Sequence, residues 1–447
     1  MKKVVRLLSI VLCVVLVMSL GTEAFAADQV HPISVIVEQE NGTQTEIHAV
    51  YGSYEGNVYL SLRDLSGALS GSKKQYSFSY QYSDRDGEYF NIVTGNRSDG
   101  SRGDYTGVIW LDSYRNRIVV DGKEKRYYTY RYGRDLYMNL ADILLMLDVN
   151  AEYIEENVIH FYTNEGLSVD LNRLNDEGYF DFFTGILVGD ATTGEPLFYN
   201  NRLSKTCIAS TTKLMTYLII MEAVDEGKIT LDDIVTIPQT AAAMSTEQDG
   251  TIEMHTGQEV PIMELIDALL IASSNESAVA LATHVEGSEE LFVAKMNQRA
   301  AELGLNSAEF YNSNGLPVFS RTSINMKKQN RMTAWDMFRL SSYILEHYPQ
   351  ITDITGLQYC TMSTLEYTSA NSNNLVFNMP EVNGLKTGST NKAGLCLVAS
   401  MPLTYQGETH NIVCVVFGAE TAALRVQAAE LLMHAAKDYY LENGFSS

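Results

Sequence analysis

Apolar and polar residues follow two different patterns along the chain, and the change lies near residue 165. Between residues 51 and 162, short alternating runs are bounded by Gly, Asn and Asp, which is typical of β-strands. Beyond residue 184, longer apolar stretches stand among strand-like runs. The pattern predicts a small, mostly-β first domain over residues 27–165, a connection over 166–183 and a mixed second domain over 184–447.

The second domain begins with a predicted hairpin and a predicted buried helix. The apolar runs 186–188 and 197–199 flank a turn-rich segment, which is typical of a β-hairpin. Residues 214–224 are apolar on nearly every face, so this helix should lie at the domain centre. The runs 395–399 and 412–417 predict two further neighbouring strands. We expect an α/β (α+β) fold in which helices flank an antiparallel sheet.

An internal repeat lies within the first domain. Residues 58–65 match residues 136–143, which lie 78 positions later. In each copy a strand-like run reaches a Ser or Asn that can cap a helix, and an acidic residue follows three positions on. The pattern resembles the copper amine oxidase N-terminal-like domain of secreted bacterial surface proteins. Despite that name, the segment contains no set of copper ligands.

Composition narrows the possible functions. Of the 447 residues, 45% are hydrophobic and 19% are charged, which indicates a globular protein. The net charge of -23 disfavours nucleic acid as a partner, because phosphates would be repelled. Residues 71–134 differ, with 12 basic and 8 acidic side chains. This segment is either an ordinary solvated surface or a patch that binds anionic cell-wall polymers or glycan, with tyrosines as stacking surfaces.

Residues 1–26 have the pattern of a secretory signal peptide. A basic start is followed by an apolar run over residues 7–20 and a small-x-small cleavage site at residues 24–26. The run is shorter than the roughly 20 residues that span a bilayer. No later apolar stretch is long enough to do so. We expect a secreted, extracytoplasmic protein without a transmembrane helix.

Four cysteines follow this segment, at positions 207, 360, 396 and 414. Their spacing contains no CxxC, and four cysteines in a chain this long do not form a disulfide scaffold. Cys396 and Cys414 lie in the two neighbouring apolar runs, so a disulfide and two buried thiols both remain possible. The chain has no HExxH motif and no Cys/His cluster, so the sequence does not support a metal site.

The first candidate for chemistry is the pair Ser210 and Lys213 at the start of the predicted buried helix. One helical turn separates them, so both side chains face the same way. The helix dipole favours a negative charge at the hydroxyl, and a neighbouring amine can take its proton. Burial makes a lysine lose its charge more readily. Ser-x-x-Lys also occurs at residues 70–73 and 389–392, so the spacing alone is not diagnostic.

Two further polar motifs follow. Ser273-Ser274-Asn275 interrupts two apolar helical stretches with groups that need hydrogen-bond partners. Lys386-Thr387-Gly388 begins a predicted strand, where a glycine allows a backbone or a ligand to approach closely.

In this order, the three motifs are the signature of penicillin-interacting serine acyl enzymes. The surrounding sequence, over about residues 180–440, resembles the low-molecular-mass penicillin-binding D-alanyl-D-alanine carboxypeptidases. The stretches that carry the resemblance are residues 209–216, 270–282, 292–297, 303–305, 314–316, 384–388 and 393–400. The resemblance implies a serine penicillin-binding/β-lactamase-like fold with a helical subdomain and an active site between that subdomain and the sheet.

The resemblance also implies how the reaction begins. Ser210 would attack the carbonyl between the two terminal D-alanines of a peptidoglycan stem peptide, and Lys213 would be the general base. Asn275 would hold the substrate amide and orient Lys213. The backbone N–H groups of Ser210 and Ser389 would form the oxyanion hole. Ser389 directly follows Gly388 in the chain.

The remaining roles concern the leaving group. Ser273 and Lys386 would relay the proton to the departing D-alanine. Lys386 and Thr387 would bind the terminal carboxylate, and water would then hydrolyse the acyl-enzyme. β-Lactams would inhibit the enzyme because they would leave Ser210 acylated. The family needs no cofactor, and cell-wall association is expected.

The sequence departs from the family pattern at three places. Ser274 stands where many members have Gly, and Ser389 stands where many have His. The chain has no room for the small β-domain and amphipathic anchoring helix of numerous relatives, so we expect no C-terminal membrane anchor.

Other functions remain as alternatives. The same site in a D-alanyl endopeptidase would cleave cross-links, and a class A-like β-lactamase would deacylate with an added glutamate, for which Glu309 is a nearby candidate. A wall-binding module without activity is a third possibility. A Ser-His-Asp hydrolase is disfavoured because no G-x-S-x-G elbow is present. Whether vegetative or spore peptidoglycan is the target, and whether the chain oligomerises, stays open.

Overall fold

The computed structural model describes residues 33–51, 58–84, 87–100, 112–114, 116–132, 134–155, 158–245, 251–319 and 327–445. They form two compact units, of which the first ends at Tyr179 and the second begins at Phe180. The signal peptide expected over residues 1–26 lies outside the described residues.

Short strands dominate the described part of the first unit. They are β1 (Ile33–Gln39), β2 (Gln44–Tyr51), β3 (Val58–Ser61), β4 (Tyr76–Ser83), β5 (Gly87–Thr94), β6 (Asp112–Tyr114), β7 (Ile118–Val120), β8 (Lys123–Lys125), β9 (Thr129–Tyr132), β10 (Asp135–Asn139), β11 (Asn150–Glu155) and β12 (Val158–Tyr162). Among the described residues, eight strands form one sheet in the order β11-β12-β1-β2-β3-β10-β9-β6, and β4-β5-β7-β8 form another. The helices described here are α1 (Leu62–Ala68), α2 (Leu140–Leu147) and α3 (Leu171–Asp176).

Both copies of the repeat have the same local structure. The Ser61 Oγ accepts a hydrogen bond from the Asp64 N–H at 3.1 Å, and this bond caps α1. In the second copy, the Asn139 Oδ1 accepts from the Ala141 N–H at 2.8 Å and caps α2. Strands β3 and β10 are antiparallel neighbours, with Ser61 opposite Tyr137. Each copy is therefore a strand, a polar cap and a short helix.

The second unit contains a five-stranded antiparallel sheet. Its strands are β13 (Gly185–Asp190), β14 (Glu195–Asn200), β23 (Gly384–Thr390), β24 (Gly394–Tyr405) and β25 (Glu408–Ala419), in the order β14-β13-β25-β24-β23. The shorter strands are β15 (Thr206–Cys207), β16 (Ile234–Thr236), β17 (Glu259–Pro261), β18 (Val318–Phe319), β19 (Lys327–Lys328), β20 (Arg331–Met332), β21 (Tyr359–Met362) and β22 (Tyr367–Ala370). The predicted hairpin at the start of the domain is confirmed, because β13 pairs with β14. The two strands predicted near residues 395–417 also pair with each other.

Helices supply the rest of the second unit. They are α4 (Lys213–Asp225), α5 (Gln239–Met244), α6 (Ile262–Asp267), α7 (Asn275–Glu286), α8 (Glu289–Glu302), α9 (Ala334–His347), α10 (Ile351–Thr355), α11 (Leu375–Asn378) and α12 (Ala422–Asn443). Helix α4 is buried at every position from Lys213 to Met221, as its uniformly apolar sequence predicts. The antiparallel sheet with accompanying helices confirms the expected fold class.

All four cysteines beyond the predicted signal peptide are buried free thiols. On the paired strands β24 and β25, Cys414 lies opposite Ala399. The Sγ of Cys396 instead lies 3.7 Å from the carbonyl oxygen of Ala393. The structure thus decides between the two possibilities in favour of free thiols.

No helix in the described part of the chain is both long enough and apolar enough to cross a membrane. Within the same residues, no group of three or more His, Cys, Asp or Glu side chains is arranged to hold a metal ion.

Candidate active site

Ser210 and Lys213 lie side by side where a 3₁₀ turn, Ala209–Thr212, runs into helix α4. The Lys213 Nζ is 2.9 Å from the Ser210 Oγ. Ser210 is half-buried and Lys213 is completely buried. A hydroxyl that substrate can reach is therefore in hydrogen-bond contact with an amine shielded from water, which is the geometry a nucleophile and its base require.

Two carbonyl oxygens complete the surroundings of the Lys213 amine. The Nζ is 2.8 Å from the Asn275 Oδ1 and 2.9 Å from the backbone oxygen of Asn314. A neutral amine has two N–H donors and one lone pair. Since the two carbonyl oxygens can only accept, they take the two donors and leave the lone pair for the hydroxyl of Ser210.

The electrostatic environment favours this neutral form. Burial, reinforced by the positive charge of Lys386, holds the pKa of Lys213 well below its ordinary value, while Glu276 acts in the opposite direction. Lys386 is itself 1% exposed. Burial and the nearby Arg425 lower the pKa of Lys386 to about 7. Burial therefore favours the neutral form of both lysines.

Strand β23 approaches the Ser210 turn very closely. A Cβ on Gly388 would lie 2.8 Å from the backbone nitrogen of Ser210 and 2.9 Å from that of Thr211. Only a glycine allows this packing, as the sequence suggests for a glycine within a strand. The next residue, Ser389, is exposed, whereas Thr387 is buried and its Oγ1 donates a hydrogen bond to the Ser372 Oγ at 2.7 Å.

The second motif forms a sharp turn between two helical segments. Ser273 ends the segment Ala268–Ala272 with a φ of 63°, and Ser274 then caps α7 by accepting a hydrogen bond from the Ser277 N–H at 3.0 Å. Ala209, just before Ser210, has a φ of 47°. Few non-glycine residues adopt this left-handed conformation, and those that do are often at functional sites.

The structure therefore brings Ser210, Lys213 and Asn275 into direct contact and packs Gly388 against the same turn. Lys386 acts on Lys213 through its charge. Ser273 lies two residues before Asn275 on the second-motif turn.

Several residues contribute contacts to this site that the sequence did not predict. The Asn314 oxygen that meets Lys213 belongs to the backbone, so its residue type does not reveal it. The next residue, Gly315, has a φ of 92°, and a Cβ there would lie 2.0 Å from the backbone oxygen of Ala209. Ser372 and Glu276 also were not predicted, because their contacts depend on tertiary structure.

A buried asparagine holds the Asn314 loop beside helix α4. The Asn330 Nδ2 donates to the Asn312 backbone oxygen at 2.9 Å and to the Thr212 Oγ1 at 3.1 Å. Its Oδ1 accepts from the Tyr311 N–H at 2.7 Å. The three contacts connect the loop directly to the residue before Lys213.

The second unit is similar in sequence to a known family of enzymes. Residues 184–421 match the family model of the S11 peptidases, described as D-alanyl-D-alanine carboxypeptidase. The chain is 38% identical over 251 residues to the D-alanyl-D-alanine carboxypeptidase DacF of Bacillus subtilis, covering 55% of this chain and 60% of that protein. It is 32% identical over 248 residues to DacD of Escherichia coli, again covering 55% of this chain and 60% of the relative. The matches thus span about three fifths of these relatives' length.

Solved structures show the same fold. Penicillin-binding protein 6B of Escherichia coli matches with a TM-score of 0.50 at 30% identity, over 56% of this chain and 76% of that one. The peptidoglycan synthesis regulatory factor PBP3 of Streptococcus pneumoniae matches with a TM-score of 0.52 at 27% identity, over 56% and 72%. Because the family match covers more than half of the chain, this protein belongs to the S11 peptidase family of D-alanyl-D-alanine carboxypeptidases.

Proposed function

We propose that the protein is a serine-type D-alanyl-D-alanine carboxypeptidase that removes the terminal D-alanine from peptidoglycan stem peptides. The observation that carries this proposal is the 2.9 Å contact between the Ser210 Oγ and the buried Lys213 Nζ in a chain of this family.

Acylation begins with proton transfer from Ser210 to the neutral Lys213 amine. The Ser210 Oγ then forms a bond to the carbonyl carbon between the two terminal D-alanines, and the carbonyl oxygen becomes an oxyanion. The backbone N–H groups of Ser210 and Ser389 are the proposed donors to this oxyanion, and one such donor is typically worth about 10²–10³ in turnover. The close packing of Gly388 on the Ser210 turn supports their proximity.

Collapse of the intermediate breaks the C–N bond and releases D-alanine. Ser273 and Lys386 pass a proton to the departing amine. A pKa of about 7 suits Lys386 to this transfer. Lys386 and Thr387 bind the terminal carboxylate, for which the Thr387 hydroxyl turns from Ser372 towards the substrate. Water then attacks the acyl-enzyme and restores the Ser210 hydroxyl.

β-Lactams are the proposed inhibitors, because opening of their ring would leave Ser210 acylated. For a class A-like β-lactamase, Glu309 would have to activate water. Instead, the Glu309 carboxylate is 2.6 Å from the Lys205 Nζ and 44% of its side chain is exposed. This arrangement supports the carboxypeptidase. Fast hydrolysis of nitrocefin, without a long-lived adduct, would favour the β-lactamase.

The deciding experiment measures D-alanine released from a D-Ala-D-Ala-terminated pentapeptide. The wild type should release D-alanine, and Ser210→Ala should not. Ser204→Ala, an exposed serine of the same segment, is the matched control and should keep wild-type activity. Equal release by wild type and Ser210→Ala would refute the mechanism. Faster cleavage of a D-alanyl cross-linked dimer than of the pentapeptide would favour the endopeptidase.

We further propose that the protein is secreted and that its first unit binds anionic wall polymers. The signal-like residues 1–26 and the basic surplus of residues 71–134 support this. The Arg134 guanidinium lies 5.8 Å from the Tyr80 ring centre, and the nearby strand residue Tyr82 is 67% exposed. The exposed Arg134 and Tyr82 supply charge and a stacking surface.

The test uses the chain without residues 1–26 and purified cell walls at low salt, where surface charges act most strongly. Arg134→Glu should reduce retention. Lys228→Glu, which makes the same charge change on the second unit, should leave it unchanged. Equal retention of both variants, or none by the wild type, would refute the wall patch.

A further inference from the structure

A completely buried carboxylate, Glu276, lies in the first turn of helix α7 next to Asn275. Both of its oxygens have hydrogen-bond donors. The Oε2 accepts from the Ser274 hydroxyl at 2.8 Å, and the Oε1 accepts from the Thr251 backbone N–H at 2.6 Å. Glu276 has no role in the proposed acylation and deacylation steps, although the neighbouring Asn275 contacts Lys213.

The contact to Thr251 joins two separate parts of the second unit. Thr251 is followed by Ile252 and Met254, which are both buried. The Ser245 Oγ donates to the Ile252 oxygen at 3.1 Å and accepts from the Met254 N–H at 3.0 Å. Glu276 thus connects the turn at Ser274 to the segment 251–254, which is itself hydrogen-bonded to Ser245. These contacts limit movement of the turn.

Ser274 is the other half of this arrangement. Its Oγ donates to Glu276 and accepts from the Ser277 N–H that it caps. A glycine at this position would have no hydroxyl for either bond. The departure at Ser274 and the buried Glu276 therefore form one unit, with Asn275 between them in the chain.

We propose that Ser274 and Glu276 are a pair of positioning residues that hold Asn275 against the Lys213 amine and place a negative charge near that amine. The inference rests on the proposed function, because it assigns a task within the same acylation step. Neither residue needs to touch the substrate. Both act through Asn275 and Lys213.

The charge of Glu276 has a consequence for pH dependence. Two charged groups act on Lys213: Lys386 from strand β23 lowers its pKa, and Glu276 from helix α7 raises it. The three groups in hydrogen-bond contact with the Lys213 amine are uncharged: the Ser210 hydroxyl, the Asn275 amide and the Asn314 carbonyl. Without the Glu276 charge, Lys386 is unopposed and the pKa of Lys213 falls further. The acidic limb of the acylation rate, which reports protonation of the base, should then move to lower pH.

The test measures the rate constant for acylation by a fluorescent penicillin as a function of pH, together with Tm. Glu276→Gln keeps the shape and an oxygen for the Thr251 N–H but removes the charge. Its acidic limb should move to lower pH. Glu276→Asp keeps the charge and should retain the wild-type limb even if its Tm falls. Superimposable limbs for wild type and Glu276→Gln would overturn the proposal, because a purely structural role changes Tm and the plateau alone.

Ser274→Ala tests the positioning half separately and remains informative if Glu276→Gln does not fold. It removes the hydroxyl that donates to the Glu276 carboxylate and accepts from the Ser277 N–H, but it keeps the charge of Glu276. It should lower the plateau rate about three- to tenfold at an unchanged limb. An unchanged plateau would overturn the positioning role. Absence of acylation in the wild type would instead refute the proposed function, so the two failures are distinguishable.

Discussion

Gly388 on strand β23 packs directly against the backbone of Ser210, so that a Cβ at this position would lie 2.8 Å from the Ser210 nitrogen. The contact is between main chains and leaves no flexible side chain to move aside. The position of the nucleophile therefore depends on the strand that carries Lys386 and Thr387.

Gly388→Ala should reduce acylation of Ser210 at least 100-fold, because either the strand or the turn must move. Overpacking of this kind also costs about 1–3 kcal/mol of stability. The matched control is Gly67→Ala, because a Cβ there would meet nothing within 4 Å. It should acylate like the wild type. Fluorescent penicillin labelling measures both variants, and normal labelling of Gly388→Ala would show that the contact is dispensable.

Lys213→Arg should abolish acylation although it keeps a long basic side chain at this position. A guanidinium does not lose its proton in proteins, so it cannot accept the proton of Ser210. It also cannot fit the two carbonyl contacts of Asn275 and Asn314 in the same way. Release of D-alanine from the pentapeptide is the measurement. Activity within tenfold of the wild type would mean that another group is the base.

The low pKa of Lys386 predicts how stability changes with pH. Its pKa is about 7 in the folded protein and 10.5 ordinarily, so the unfolded chain binds more protons between these values. Stability should therefore rise as the pH increases from about 7 towards 10, with this residue contributing up to ~1.4 kcal/mol per pH unit. Lys386→Met should flatten the dependence of Tm on pH. Lys392→Met, at an exposed lysine, is the control and should not.

Thr387→Val should weaken binding of substrates that carry a terminal carboxylate. The substitution keeps the side-chain shape but removes the hydroxyl that now donates to Ser372. We expect KM for the pentapeptide to rise at least about tenfold, since a hydrogen bond to a charged group is worth roughly 1.5–3 kcal/mol. An analogue with a neutral terminal ester should be affected much less. Thr361→Val, an exposed threonine, serves as control. An equal rise for both substrates would argue against carboxylate binding.

Ser61→Ala and Asn139→Ala should each destabilise the first unit by about 1 kcal/mol, since each removes a helix cap. Penicillin labelling of Ser210 should remain unchanged in both. Ser77→Ala, on strand β4, is the comparison that removes a serine hydroxyl outside any helix cap. Denaturation midpoints of the three variants measure the difference, and a cap variant as stable as Ser77→Ala would contradict the prediction.

Local features of the site were predictable because they depend on residues close in sequence. Ser210 and Lys213 share one helical turn, so their spacing alone places them together. The caps of the repeat are also local, since donor and acceptor are two or three residues apart. The apolar sequence of α4 predicted its burial for the same reason.

Contacts between segments that are distant in sequence could not be predicted in the same way. The Asn314 oxygen beside Lys213 lies 101 residues away in sequence and belongs to the backbone, so no residue type indicates it. Thr251 likewise uses its backbone N–H, at a separation of 25 residues from Glu276. The free state of Cys396 and Cys414 required the register of β24 and β25, which composition does not specify.

The sequence by itself determined the two-part organisation of residue patterns, the antiparallel sheet with its buried helix, and the three motifs that indicate the family. The tertiary structure alone decided how Lys213 is surrounded: two carbonyl oxygens, a like charge from Lys386 and an opposing charge from Glu276. The physical reason is that secondary structure and motif spacing follow from short-range periodicity. Desolvation and the electric field at a buried amine instead sum over every segment that packs around it.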